Sequence, residues 1–203
     1  MKQKTPPFAF PAMLDRMSFI WRWSLMRNNR PENLKEHSFD VAVIAHCLCE
    51  IHNFITDARQ EHHIYSSDVV VLALYHDAAE IIVGDMPTPV KYNNESIKTA
   101  FKELERKAEE SLVHMLPEEL QPSYRYCMCQ KGSPEELAIV KAADKLSAYI
   151  HCINEETAGN TEFTSAKETL WQSILKMDLP EVQYFIENFL PAWGLTLDQL
   201  THN

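Results

Sequence analysis

Glycine is scarce here, with four in 203 residues, and the alternating Val/Ile/Thr runs that announce strands are missing. A sheet protein is therefore disfavoured and a helical one expected. No stretch approaches the ~20 consecutive apolar residues that span a bilayer. The N-terminal MKQKTPPFAFPAML starts basic but is broken by three prolines, unlike the apolar stretch of a secretory leader. Basic runs never exceed two residues, and 29 acids against 19 bases leave a formal charge of −10. Duplex binding draws its affinity from Lys and Arg set against phosphates, so polymeric nucleic acid and anionic membranes are poor partners. A small anionic substrate, met by a local cation or a metal, stays open. Five cysteines without a secretory context fit free thiols in the cytoplasm. The pairs Cys47/Cys49 and Cys127/Cys129 are spaced more tightly than structural zinc sites prefer, and i and i+2 diverge on a helix.

What is present is an ordinary globular composition, 45% hydrophobic and 24% charged, in a chain long enough to bury a substantial core. The apolar residues follow a helical period nearly throughout, and neither a linker nor a repeat interrupts them. A single all-α domain, a helical bundle over residues 1–203, is expected. An amphipathic stretch near 8–20 leads into WRWSLMRNNRPEN. A helix opens near Asn33, with Glu36 completing a capping-box pair, and carries the stripe Val41, Ile44, Ala45, Leu48, Ile51. A third helix is expected from after Ser67 to a C-cap at Gly84. Its VVVLAL centre is apolar on all sides, which predicts the central buried helix. A fourth spans about 95–116, with Ile97, Phe101, Leu104, Ala108, Leu112 and Met115 on one face. Ser133-Pro134-Glu135-Glu136 opens a long helix to about Ala158. Two more lie near 161–177 and 181–190, before a short polar tail.

Against this pattern a few polar residues stand out. His76 and Asp77 come late in the most apolar helix, and Glu80 lies one turn beyond His76. Ionising an aspartate in apolar surroundings costs several kcal/mol unless it is paired or bound to a metal. An exposed helix end near Gly84 would remove that cost. Asp144 falls on the stripe Leu137, Val140, Asp144, Ser147/Ala148, with Lys141 and Lys145 available as partners if that face is solvated. His37 precedes Val41 by one turn on the inward face of its helix. Alone, such a histidine is usually a hydrogen-bonded core residue. Two imidazoles and two carboxylates on three core-facing helices suit one divalent transition metal such as Mn, Fe, Co, Ni or Zn. A metal with open positions acidifies bound water toward neutral pH, giving a nucleophile for a phosphorus or carbonyl centre.

At these residues the chain resembles the HD-domain superfamily of metal-dependent phosphohydrolases, whose signature is His…His-Asp…Asp. The surrounding RWSLMRNNRPENLKEHS, YHDAAEIIVGDMPTPVKY, VKAADKLSAY and ETAGNTEF resemble the bacterial 5′-deoxynucleotidase family of the YfbR type over most of the chain. The resemblance implies metal ligands at His37, His76, Asp77 and Asp144 and catalytic roles for Glu80, Arg22 and Asp85. It places the substrate against Arg22, Trp23, His37, Asp77 and Asp144 and in the loop Asp85-Met86-Pro87-Thr88. Arg22 would orient the phosphate and Trp23 would lie beside the sugar. It further implies a homodimer that hydrolyses deoxyribonucleoside 5′-monophosphates through a metal-activated water. The alternatives are an HD phosphohydrolase for another small nucleotide, and a binding module that uses the metal only for stability. Dinuclear members need further histidines between the His-Asp pair and the last aspartate, and only His114 lies there.

Overall fold

The computed structural model describes residues 7–57, 63–91 and 94–201, without the side chains of Thr88 and Pro89. Its helices are α1 (Phe10–Asp15), α2 (Leu34–Asp57), α3 (Ser66–Tyr75), α4 (Glu80–Val83), α5 (Thr88–Lys91), α6 (Glu95–Val113), α7 (Gln121–Met128), α8 (Pro134–Thr157), α9 (Thr164–Leu175), α10 (Pro180–Asn188) and α11 (Leu197–Thr201). The only β pairing among the described residues is an isolated bridge between Trp21 and Asn33. The all-α expectation holds.

The two longest helices begin where their caps predict. Asn33 Oδ1 accepts the N–H groups of Lys35 and Glu36 at 3.0 and 3.1 Å, while its own N–H donates to Glu36 Oε2 at 3.3 Å. Ser133 and Glu136 exchange the same pair of bonds at the start of α8, with Pro134 at the first helical position. Each arrangement satisfies amide donors that a helix start otherwise leaves unpaired. The apolar stripes of α2 (Val41, Ile44, Ala45, Leu48, Ile51) and α8 (Ile139, Val140, Ala143, Leu146, Ile150) meet in the main core, with α3, α9 and α10 around them. A smaller core joins Phe10, Ala78, Leu112, Val113, Cys127 and Met128.

Four expectations change. The expected third helix is interrupted: 76–79 forms tight turns with bonds from Ala78 N to Tyr75 O and Glu80 N to Asp77 O, and only α4 resumes before Gly84. It is not the central helix either, because Val71 and Leu74 are exposed; α2 and α8 fill the centre, so α3 has one covered side. Leu104 on α6 is likewise exposed. The tail beyond 190 carries exposed Trp193, Leu195, Leu197 and Leu200 and is less polar than expected. The helix α7 was not anticipated. By length and composition α2 could cross a membrane, but its apolar stripe is taken up by the core. All five cysteines are free.

Candidate metal centre and substrate site

Three elements bring four side chains to one point. His37 is carried by the first turn of α2, His76 and Asp77 by the turn that interrupts α3, and Asp144 by the middle of α8. One ligand atom from each lies within 4.8 Å of all the others. His37 is fully buried, and the side chains of His76 and Asp77 are 9% and 23% exposed, which excludes a solvated helix end. Lys145 donates to Ser173 Oγ on α9 and feels the charge of Asp144 without pairing with it directly.

The donor set fits a cation. His76 Nδ1 lies 2.7 Å from the carbonyl of Ala73. A carbonyl can only accept, so that nitrogen holds a proton and Nε2 is the atom that faces the cluster, where it can bind an ion once its own proton is displaced. His37 Nδ1 is 3.3 Å from Ser147 Oγ, and its Nε2 also points inward. Both Nε2 atoms are buried without a hydrogen-bond partner. They nonetheless lie 3.0 Å (His76 to Asp77) and 3.2 Å (His37 to Asp144) from carboxylate oxygens. Close approach without hydrogen-bond alignment is what atoms aimed at a shared ion show.

The four groups shift one another's protonation. Burial pulls the His76 imidazole down, but Asp77 and then Asp144 outweigh it and push it up to about 9. Burial opposes the charge on Asp77, yet His76, His37 and Arg22 hold it well below the usual carboxylate range. Burial and then Arg22 lower His37. Burial works against Asp144 as well, and His37 keeps it ionised.

Glu80 opens α4 one turn past His76. It is 8% exposed, and its Oε2 has no hydrogen-bond partner. Burial, with Asp77 and Asp85 adding repulsion, pushes its carboxyl up to about 9, so it carries a proton at neutral pH. Gly84 follows at φ 77 and ψ 158, a backbone region essentially confined to glycine, and swings the chain into Asp85, Met86 and Pro87. Burial also raises Asp85, while Arg22 draws it back. These three loop residues are half-buried, and Asp85 feels the charges of Arg22 and Asp77, whereas the Thr88 side chain lies outside the described ones.

Arg22 reaches the cluster from a loop that the Trp21–Asn33 bridge pins to the start of α2. One terminal nitrogen lies 3.5 Å from Asp77 Oδ2, and Nε donates to Glu32 Oε2 at 3.1 Å. Trp23 is half-buried, stacked on His151, with its Nε1 unpartnered. The loop tip is tied down by Glu155, which is 1% exposed and accepts from the amides of Asn29 and Arg30 at 2.9 and 2.8 Å and from Asn160 Nδ2 at 2.7 Å. Of the expected residues, Arg22, His37, His76, Asp77, Glu80, Asp85 and Asp144 act on one another, and Trp23 joins them through His151 and Glu32. Sequence reading missed Glu32, His151 and Glu155. For His151 a signal existed: Asp144, Ser147 and His151 follow i, i+3, i+7 on one face of α8.

The model of the YfbR-like 5′-deoxynucleotidase family matches residues 9–193. A 5′-deoxynucleotidase of Pectobacterium atrosepticum is 44% identical over 195 residues, 96% of this chain and 96% of its own. One of Vibrio vulnificus is 44% identical over 193 residues, 95% of this chain and 97% of its own. Among solved structures, an HD-domain phosphohydrolase of Listeria innocua superposes with a TM-score of 0.77 at 24% identity, covering 95% of this chain and 94% of its own. A cyanophage S-2L HD phosphohydrolase, bound to dA and one catalytic zinc ion, gives 0.64 at 20% identity, covering 91% and 96%. At those identities the two structures bear on the fold, which is the HD-domain helical bundle.

Proposed function

The chain belongs to the YfbR-like 5′-deoxynucleotidase family of HD-domain phosphohydrolases, and on that footing we propose which of its side chains carry the reaction. The activity is metal-dependent hydrolysis of a deoxyribonucleoside 5′-monophosphate to deoxynucleoside and phosphate. His37, His76, Asp77 and Asp144 hold one divalent metal, with Co, Mn or a similar transition metal suiting two imidazoles and two carboxylates. The observation that carries this reading is the pair of orphaned Nε2 atoms aimed at two carboxylates. When bound, the ion acidifies water and offsets charge on the phosphate.

The remaining chemistry belongs to the chain. Arg22 presents a planar fork of donors to phosphate oxygens, a geometry that lysine does not reproduce. Glu80, buried one turn past His76, is placed to pass a proton to the leaving 5′ oxygen. Asp85, Met86, Pro87 and Thr88 take the nucleoside, Trp23 covers the sugar, and His37, Asp77 and Asp144 face the phosphate from the metal side. A module using the metal only for stability would not need Arg22 turned toward Asp77 or a buried carboxyl at Glu80.

We place this single domain, residues 1–203, in the cytoplasm as a homodimer; the exposed Val71 and Leu74 of α3 support an apolar contact. Phosphate release from a panel of deoxy- and ribonucleoside monophosphates, with each metal in turn, tests the whole reading. Release without added metal from chelator-treated protein would overturn it.

A further inference from the structure

Arg22 and Trp23 are neighbours in sequence, and each is held from behind by one buried side chain. Glu32 is 8% exposed and accepts from Arg22 Nε at 3.1 Å. Its carbonyl also accepts the Arg22 N–H at 3.0 Å, so the arginine is tied at both ends to one residue. His151 on α8 is 7% exposed and stacks on the indole of Trp23, with ring centres 5.6 Å apart and planes 9° from parallel. Phe163 meets the same indole edge-on at 5.3 Å. The two supports face each other, with His151 Nδ1 3.9 Å from Glu32 Oε1.

Trp23 needs support. Its φ of 57 is a left-handed conformation that is unfavourable for a bulky residue and persists only where the surroundings impose it. Arg22 needs it too, because Asp77 at 3.5 Å competes for the same guanidinium. On the far side, Glu32 and His151 line a solvent-open cavity of about 270 Å³ with Arg30, Asp40, Asn154 and Trp193. Close packing from that side does not hold them, so the hold depends on the contacts just described.

We propose that Glu32 and His151 are positioning residues: Glu32 fixes the guanidinium that meets the phosphate, and His151 fixes the indole plane that meets the sugar and so sets the preference for deoxyribose over ribose. This rests on Arg22 and Trp23 contacting the substrate as proposed above. Without the Glu32 charge, the arginine is drawn toward Asp77 and away from the phosphate. Without the imidazole face, the indole can tilt and leave room beside the 2′ carbon.

The test uses Glu32→Gln, His151→Leu, which fills the volume without a ring, and His151→Phe, which keeps the stack. Metal content and kcat/KM for dAMP and AMP are measured in each, and each is crystallised. Glu32→Gln should lose ~10–100-fold on both nucleotides, the scale of one charge-assisted hydrogen bond, with metal content and the dAMP/AMP ratio unchanged. His151→Leu should lower that ratio about 10-fold, part of the ~100-fold by which a shaped pocket rejects an added hydroxyl, and His151→Phe should restore it. Wild-type kcat/KM in Glu32→Gln, or an unchanged ratio in His151→Leu, overturns the inference. If the wild-type protein hydrolyses neither nucleotide, the activity itself fails and the crystals decide the positioning. Arg22 and Trp23 displaced in the variants uphold it, and both unmoved overturn it.

Discussion

An aspartate that stays charged among apolar residues must be paid for by neighbours, and Asp77 has three: His76, His37 and Arg22. Replacing it with alanine should leave the fold's helical content by circular dichroism but abolish metal retention and turnover; His76→Ala should do the same. Wild-type metal content in Asp77→Ala by elemental analysis would refute the ligand assignment. Glu80 behaves differently because it holds a proton rather than a charge. Glu80→Gln mimics that protonated form, so it should keep the metal and lose turnover by ~10²–10⁴-fold, the usual scale for a positioned proton-transfer group. The same variant reads the pKa. In metal-free protein the unfolded chain releases this proton near 4.5 while the folded chain keeps it to about 9. The folded state thus binds more protons across that window, and this contribution to stability is complete below 4.5 and declines as pH rises toward 9. Urea denaturation with chelator present should therefore show wild type losing stability relative to Glu80→Gln between pH 5 and 8.5, and parallel pH profiles would contradict the raised pKa. His76, Asp77 and Glu80 were legible in sequence because acids in an apolar run have a cost that something must meet. Glu32 was not, and the helical spacing that puts His151 on the face of Asp144 does not reveal its role, since what singles both out is contact with Arg22 and Trp23 across the fold.

Among the elements, the capped helices α2 and α8 were readable because a cap is written in four adjacent residues. The break in α3 was not, since VVVLALYHDAAEII keeps its apolar period through the turn and only the needs of the cluster pull 76–79 out of register. The apolar run also suggested a centre that α3 does not occupy, because a helix covered on one side needs only one apolar face. The loop from Trp21 to Asn33 shows the same limit from another side: RWSLMRNNRPEN and EETAGNTEF have no pattern linking them, yet Glu155 joins them by accepting from the amides of Asn29 and Arg30. Glu155→Ala leaves two backbone amides and one side-chain amide without that acceptor. A buried charged acceptor of this kind is worth about 2–4 kcal/mol to the fold. The variant should melt earlier, and trypsin should cut sooner at the exposed Arg27 in the freed loop, Arg30 being shielded by the proline that follows it. Cleavage there at the wild-type rate would mean the loop is held by other contacts.

Across the whole molecule, the centre ties α2, the α3 turn and α8 together, so an ion held there acts on the stability of the entire bundle. A ligand that binds only the folded chain stabilises it by mass action, about 4 kcal/mol when its concentration is 1,000 times its dissociation constant. For a domain of this size each kcal/mol moves the melting temperature by about 2–4 °C, so saturating metal should raise Tm by ~8–16 °C over chelator-treated protein. The shift should also depend on pH, with a definite sign. The His76 imidazole keeps a proton up to about 9 when no ion is present, and a bound metal must displace it, so affinity grows as pH rises through the neutral range. Melts at pH 6 and pH 8.5, each with metal and with chelator, should show the larger metal-induced shift at pH 8.5. In Asp77→Ala the shift should vanish at both. A wild-type Tm indifferent to chelator at pH 8.5 would show that these four side chains hold no ion that the fold depends on.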